Sequence, residues 1–287
     1  MEKKVSLILG TFDGVHIAHQ KIIAKASDNG FNPVAVTIAQ VPKAFFSGNE
    51  IKPIMSNNDR KAKLREFGVK QIDTLDFLKI KNDSPNVFLQ KINNKYHPKK
   101  ICTGYNYRFG KERSGDISLL SEFCRKNQIE FIVEEEVKID GLTVSSTNIR
   151  AFLKNGEMQK ANKMLGYNYF IKKKVIHGNA LGKKMGFATI NQNIDMSLTT
   201  LLFGVYASVV NVDGVKYRAV TNFGIKPTIG GKKVIAESHI LDFTKDIYGK
   251  LIKTEFLQFL RPEIRFNNID ELKAAINKDI DLRQQIK

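Results

Sequence analysis

Short apolar runs alternate with helix-spaced segments through the first half of the chain, and hairpin-like strands take over in the second. Val5–Leu9 reads as a buried strand, Ile17–Ser27 carries the apolar spacing of a helix, and Val34–Ile38 is a short β-branched strand. Ser56 and Asp59 have the spacing of a capping box, and the helix they open stops at Gly68. Gln71–Leu75 and Lys100–Thr103 read as strands on either side of a helical Val87–Asn94, followed by a helix over Ile117–Asn127 and a strand over Ile129–Glu135. This order predicts a parallel sheet flanked by helices, with ligands at the carboxyl ends of its strands.

Ser146 or Thr147 is placed to cap a helix through Leu153, closed by Asn155-Gly156, and a second short helix, Glu157–Leu165, ends at Gly166. Beyond it Phe170–His177, Gly204–Val212, Val215–Phe223, Val234–Asp242 and Leu251–Leu260 are strand-like. Asp213-Gly214 between two alternating runs is a strong hairpin signal. Asp270–Gln285 reads as a closing amphipathic helix. The expectation is a fold of class α/β plus all-β. A Rossmann-like domain with a parallel sheet occupies residues 1–157, and an antiparallel β-barrel with a terminal helix occupies 158–287.

Composition narrows the function classes. A chain of 287 residues with 42% hydrophobic content can bury two cores. No apolar run approaches the roughly 18 residues of a membrane span, and the opening Val5–Leu9 run is too short for a signal peptide. Two cysteines, Cys102 and Cys124, supply neither a disulfide framework nor a metal cluster, so the cytoplasm is the expected location. A net charge of +17 raises nucleic-acid binding, but only ten of the 46 basic residues are Arg and no nucleic-acid motif accompanies them. A lysine-rich solvated surface is the preferred reading, with neither a nucleic-acid nor a membrane partner expected. Oligomeric state is not legible.

The densest chemical signal is Gly10-Thr11-Phe12-Asp13-Gly14-Val15-His16-Ile17-Ala18-His19, which leaves the first strand, turns on glycines and enters a helix. Helix-start N–H groups suit a phosphate, and His16 and His19 project together from that start. Incidental helix residues and a zinc pair are the alternatives, and further zinc ligands are not apparent nearby. The segment resembles the Gly-x-Phe-Asp-Gly-x-His-x-Gly-His signature of the bacterial bifunctional riboflavin kinase/FMN adenylyltransferases. Val144-Ser145-Ser146-Thr147-Asn148-Ile149-Arg150 resembles their Ile-Ser-Ser-Thr-x-Ile-Arg signature, and Gly104-Tyr105-Asn106-Tyr107-Arg108-Phe109-Gly110 is similar to a third segment. Ala18 stands where the family has glycine, and Gln40-Val41-Pro42 where it usually has Pro-His-Pro.

The resemblance implies transfer of AMP from ATP to FMN. It casts His16 and His19 as catalytic donors to the phosphates, and Gly10, Phe12, Asp13, Asn106, Ser145, Ser146, Thr147 and Arg150 as nucleotide-binding residues. In the second half, His177–Asn191 resembles the flavin-kinase segment ending Gly-Phe-Pro-Thr-Ala-Asn. It implies that Gly182, Lys183 and Thr189 contact ATP, and that Thr189 and Asn191 hold Mg²⁺. Ala236–Phe243 looks like the family strand Glu-Ser-His-Leu-Leu-Asp-Phe, which makes Glu237 the general base on riboflavin's terminal hydroxyl. Asn222 and Arg261, in two further family-like segments, are the implied flavin contacts. The expected function is ATP-dependent conversion of riboflavin to FMN and of FMN to FAD. A riboflavin kinase with an inefficient first domain is the nearer alternative, and a basic nucleic-acid-binding or regulatory protein on the same fold the remoter one.

Overall fold

The computed structural model describes residues 4–38, 51–177, 187, 189–228 and 231–286. Packing divides the chain into two units, Met1–Ser146 and Thr147–Lys287.

The first unit runs β1 (Val5–Leu9), α1 (Ile17–Ser27), β2 (Asn32–Ile38), α2 (Asn57–Glu66), β3 (Gln71–Leu75), α3 (Phe77–Ile80), α4 (Pro85–Tyr96), β4 (Lys100–Gly104), α5 (Ile117–Lys126) and β5 (Glu130–Glu134). The five strands form a parallel sheet in the order β3-β2-β1-β4-β5. β1 is central, with Ile8 opposite both Ala35 and Cys102. Its Leu7 and Leu9 pack with Val34, Val36 and Ile101 against Phe88, Leu89 and Ile92 of α4 and Leu120 and Cys124 of α5. Burial pushes the Cys102 thiol up to about 11 and the Cys124 thiol up to about 12, so both act as apolar core residues. Ser56 caps α2 as expected: its Oγ accepts from Asp59 N at 3.1 Å, and it donates to Asp59 Oδ2 at 2.6 Å, which takes the place of the reciprocal backbone bond of a capping box. Strand order reverses at β1, between β2 and β4, and a crevice for ligands opens at such a point, outside the strand carboxyl ends.

Two small elements were not expected. α3 is one thing; the other is a hairpin of β6 (Lys138–Ile139) and β7 (Leu142–Thr143). Its turn, Asp140-Gly141, carries the same dipeptide as the hairpin that was expected, with φ of 51° and 77°. The flanking strands are too short to show alternation.

The second unit contains α6 (Ser146–Lys154), whose first turn holds the division, then α7 (Met158–Leu165), β8 (Phe170–Ile176), β9 (Thr189–Asn193), β10 (Gly204–Val212), β11 (Val215–Thr228), β12 (Gly231–Ile240), β13 (Leu251–Arg261) and α8 (Ile269–Gln285). Six strands close a barrel in the order β10-β11-β12-β9-β8-β13. β9 was missed by the apolar pattern, because Thr189-Ile190-Asn191-Gln192-Asn193 is mostly polar. It joins β12 to β8 and thereby closes the barrel. β11 extends past the expected end at Phe223 through Pro227. Beyond Phe223 it pairs, among the described residues, with β12 alone, so a residue lacking N–H is tolerated there. α6 begins at Ser146, which makes Ser146 a helical residue rather than the cap.

Candidate active sites

The turn after β1 is built from backbone conformations that ordinary residues avoid. Phe12, Gly14 and Val15 have φ of 52°, 79° and 37°, and Val15 N donates to Phe12 O at 3.1 Å. A β-branched residue in the left-handed region stores strain, and such strain persists only where the surroundings impose it. Those surroundings are explicit. The buried Asp13 accepts from Ile54 N at 2.9 Å, its own carbonyl accepts from Ser146 Oγ at 2.8 Å, and Gln20 Nε2 donates to Val15 O at 2.8 Å. The ring of Phe12 is fully buried beneath Gly10 and meets His19 edge-on, so its side chain is the floor of the turn.

His16 is the residue that caps α1, and His19 lies one turn further on. Their rings stack at 3.6 Å between centroids with 16° between planes. Burial, the neighbouring His16 and the guanidinium of Arg60 all hold His19 well below the usual imidazole range. His19 Nδ1 has no hydrogen-bond partner among the described residues. α1 has no acidic residue in its first turn and no side-chain cap, which leaves its first N–H groups to an anionic ligand.

The carboxyl ends of β1 and β4 are neighbours, and Asn106 is exposed just beyond the latter. Ser146 is tied to the turn as above. Ser145 is half-buried before it, and Thr147 and Arg150 follow on α6 as members of the second packing unit.

In the barrel, pairing of β12 with β9 and β11 brings a second set together. Glu237 lies opposite Asn191 on one side and Asn222 on the other. Thr189 Oγ1 donates to Glu237 Oε1 at 2.8 Å, and Lys226 Nζ stands 3.5 Å from Glu237 Oε2. Asn191 is 2% exposed, and its Oδ1 has no hydrogen-bond partner among the described residues. Thr189 and Asn191, two residues apart, share one face of β9. A buried orphan acceptor beside a hydroxyl and a carboxylate is a donor set that fits a hard cation. Gly182 and Lys183 lie outside the described residues.

Asn222 Nδ2 donates to Glu263 Oε1 at 3.3 Å, and the Glu263 carboxylate lies where a side chain on Gly224 would collide with it. Arg261 is engaged otherwise: its Nε and Nη2 grip Asp279 of α8 at 3.0 and 2.8 Å, with Asp279 fully within the protein. Arg60, Lys226 and Glu263 escaped sequence reasoning. Arg60 belongs to no recognised motif, and Lys226 and Glu263 sit inside family-like segments with nothing local to single them out.

Known proteins match both halves in the same order. A family model for FAD synthetase matches residues 1–148, and one for riboflavin kinase matches residues 165–287. The bifunctional riboflavin kinase/FMN adenylyltransferase of Haemophilus influenzae is 33% identical, with 96% of this chain and 92% of that protein aligned. That of Listeria monocytogenes is 30% identical, over 95% of this chain and 89% of the relative. A crystal structure of a macrolide-efflux protein from Streptococcus pneumoniae superposes with a TM-score of 0.90 at 26% identity, covering 100% of this chain and 96% of that one. With both halves matched in order and nearly the whole length aligned, the chain belongs to the family of bifunctional riboflavin kinase/FMN adenylyltransferases.

Proposed function

We propose that this chain is a transferase with two ATP-dependent activities, phosphorylating riboflavin to FMN on the barrel and adenylylating FMN to FAD at the parallel sheet. The observation that carries the kinase half is Glu237, hydrogen-bonded by Thr189 and paired in register with the orphaned Asn191. Glu237 takes the proton of riboflavin's terminal hydroxyl as its oxygen bonds to the γ-phosphorus of ATP and the bond to ADP breaks. Thr189 Oγ1 and Asn191 Oδ1 are the side-chain oxygens suited to Mg²⁺, whose contribution when bound is neutralisation of phosphate charge. Thr189 has a second task, fixing the rotamer of the base. Gly182 and Lys183 would add backbone and cationic contacts to ATP, and Asn222, held by Glu263, would meet the flavin. Arg261 would reach the flavin only by sharing its guanidinium with Asp279.

At the sheet, a phosphate oxygen of FMN attacks the α-phosphorus of ATP and pyrophosphate leaves. His16 and His19 donate to the developing charge, and the Gly10–Asp13 turn and the start of α1 offer backbone N–H groups. Asn106, Ser145, Ser146, Thr147 and Arg150 complete the nucleotide contacts. Buried, unpaired thiols at Cys102 and Cys124 support a cytoplasmic location.

The test is chromatographic. Purified chain with riboflavin, ATP and Mg²⁺ should yield FMN and FAD, and with FMN and ATP it should yield FAD. FMN without FAD in both reactions would reduce the protein to a riboflavin kinase, and no flavin product in either would remove the reading.

A further inference from the structure

Arg60 lies on α2 and is 4% exposed; its terminal nitrogens are met, while its Nε has no hydrogen-bond partner among the described residues. Its Nη1 donates to Thr11 O at 2.7 Å, and its Nη2 to Ile38 O at 3.1 Å and Asn57 Oδ1 at 2.8 Å. One planar fork therefore joins the turn after β1 to the last residue of β2. Thr37 Oγ1 donates to the same Thr11 carbonyl at 3.2 Å. Because the peptide is planar and trans, fixing Thr11 O towards Arg60 fixes the following N–H, that of Phe12, in the opposite direction. Phe12 is the first left-handed residue of the strained turn, so the fork acts where the backbone is least able to hold itself.

The charge of the same residue also acts on His19, as one of the causes that lower its pKa. Among the described residues, the groups that act on His19 are His16 and Arg60, and Arg60 is in turn influenced by the Asp13 carboxylate. We propose that Arg60 is a positioning residue for adenylyl transfer, fixing the Gly10–Asp13 turn through two carbonyls and biasing the His16–His19 stack through its charge. This rests on the adenylyl-transfer reading of the sheet site. Burial first, then His16 and then Arg60 hold His19 towards its neutral form, while an incoming polyphosphate offsets the repulsion from Arg60 and favours a protonated, doubly donating ring.

Arg60→Lys and Arg60→Gln separate the two actions. Lysine keeps the charge but cannot span both carbonyls in one plane, and glutamine loses the charge. Misplacement of this kind costs roughly 10- to 100-fold in rate, so both variants should make FAD from supplied FMN that much more slowly, chiefly in kcat. The His19 ring resonance, followed by NMR against pH, should titrate higher in Arg60→Gln than in wild type and stay low in Arg60→Lys. Wild-type FAD formation in both variants would overturn the proposal, as would His19 midpoints that move alike in the two. Should Arg60→Gln fail to fold, Arg60→Lys alone carries the test: slow turnover with an unmoved midpoint supports it, and wild-type turnover sinks it. If wild type itself makes no FAD, the adenylyl-transfer reading falls, and the charge-dependent split of the His19 midpoint still reads the effect of Arg60.

Discussion

Glu237 divides its carboxylate between two neighbours, the Thr189 hydroxyl on Oε1 and the Lys226 ammonium facing Oε2. A carboxamide could still accept from Thr189 but would lose the partly exposed ion pair with Lys226, a small cost, and it cannot take a proton. Glu237→Gln should therefore fold normally and lose about 10²-fold or more in kinase kcat. FAD formation from supplied FMN should be unchanged, because that reaction belongs to the sheet. Wild-type kinase turnover would remove Glu237 from the mechanism. Contrast the histidines at the other site, whose chemistry depends on neighbours that sequence spacing does not display. His16 and His19 are legible as a pair from their spacing, but the guanidinium that acts on His19 comes from a helix more than forty residues away in the chain.

At the scale of elements, β9 and α8 have the most consequence. β9 carries polar residues with partners across the barrel: Thr189 bonds Glu237, Asn191 lies opposite Glu237, and Gln192 donates to Lys173 O and Ile252 O and accepts from Thr254 Oγ1. α8 was expected as an amphipathic helix, and its fully buried residues are Asp279 and Arg283. Asp279 grips Arg261 of β13, and Arg283 Nε donates to Ser208 O of β10 at 2.9 Å. Removing one member of a buried pair leaves the other uncompensated, at about 3 kcal/mol or more. Asp279→Ala should lower the urea midpoint of the barrel's unfolding transition by that equivalent, and Asp279→Asn by less. An unmoved midpoint for Asp279→Ala would mean that the grip contributes nothing to stability and leave Arg261 free for flavin.

For the molecule as a whole, the matched family regions stop at 148 and resume at 165, and packing divides the chain at Ser146. The proposed functional limits, 1–157 and 158–287, fall between. Leu202 N donates to Leu153 O at 3.2 Å, and Gly156 lies close against Leu202 and Phe259. A fragment Met158–Lys287 should keep riboflavin kinase activity but unfold at a lower temperature than Thr147–Lys287, having lost that bond, about 1 kcal/mol, and its packing. Equal melting temperatures would make α6 dispensable to the barrel, and an inactive but folded Thr147–Lys287 would deny the barrel its autonomy as a kinase.

The amino-acid sequence by itself determined the parallel sheet, most of the barrel strands, the turn at Gly10–Gly14 and the family, because each is written in local periodicity or in contiguous motifs. Strand alternation and a capping box depend on neighbours within a few residues, and the chain order carries them intact. Only the tertiary structure decided which polar residues are buried and what they hold. Arg60 on the Thr11 and Ile38 carbonyls, Asp279 on Arg261, and Asn191 beside Glu237 join positions distant in the chain. β9 went unseen for the same reason, since the partners of its Thr189 and Gln192 side chains lie on other strands of the barrel. Burial of a polar group is favourable only when its partner is in place, and that partner is chosen by the fold, not by the spacing of residues along the chain.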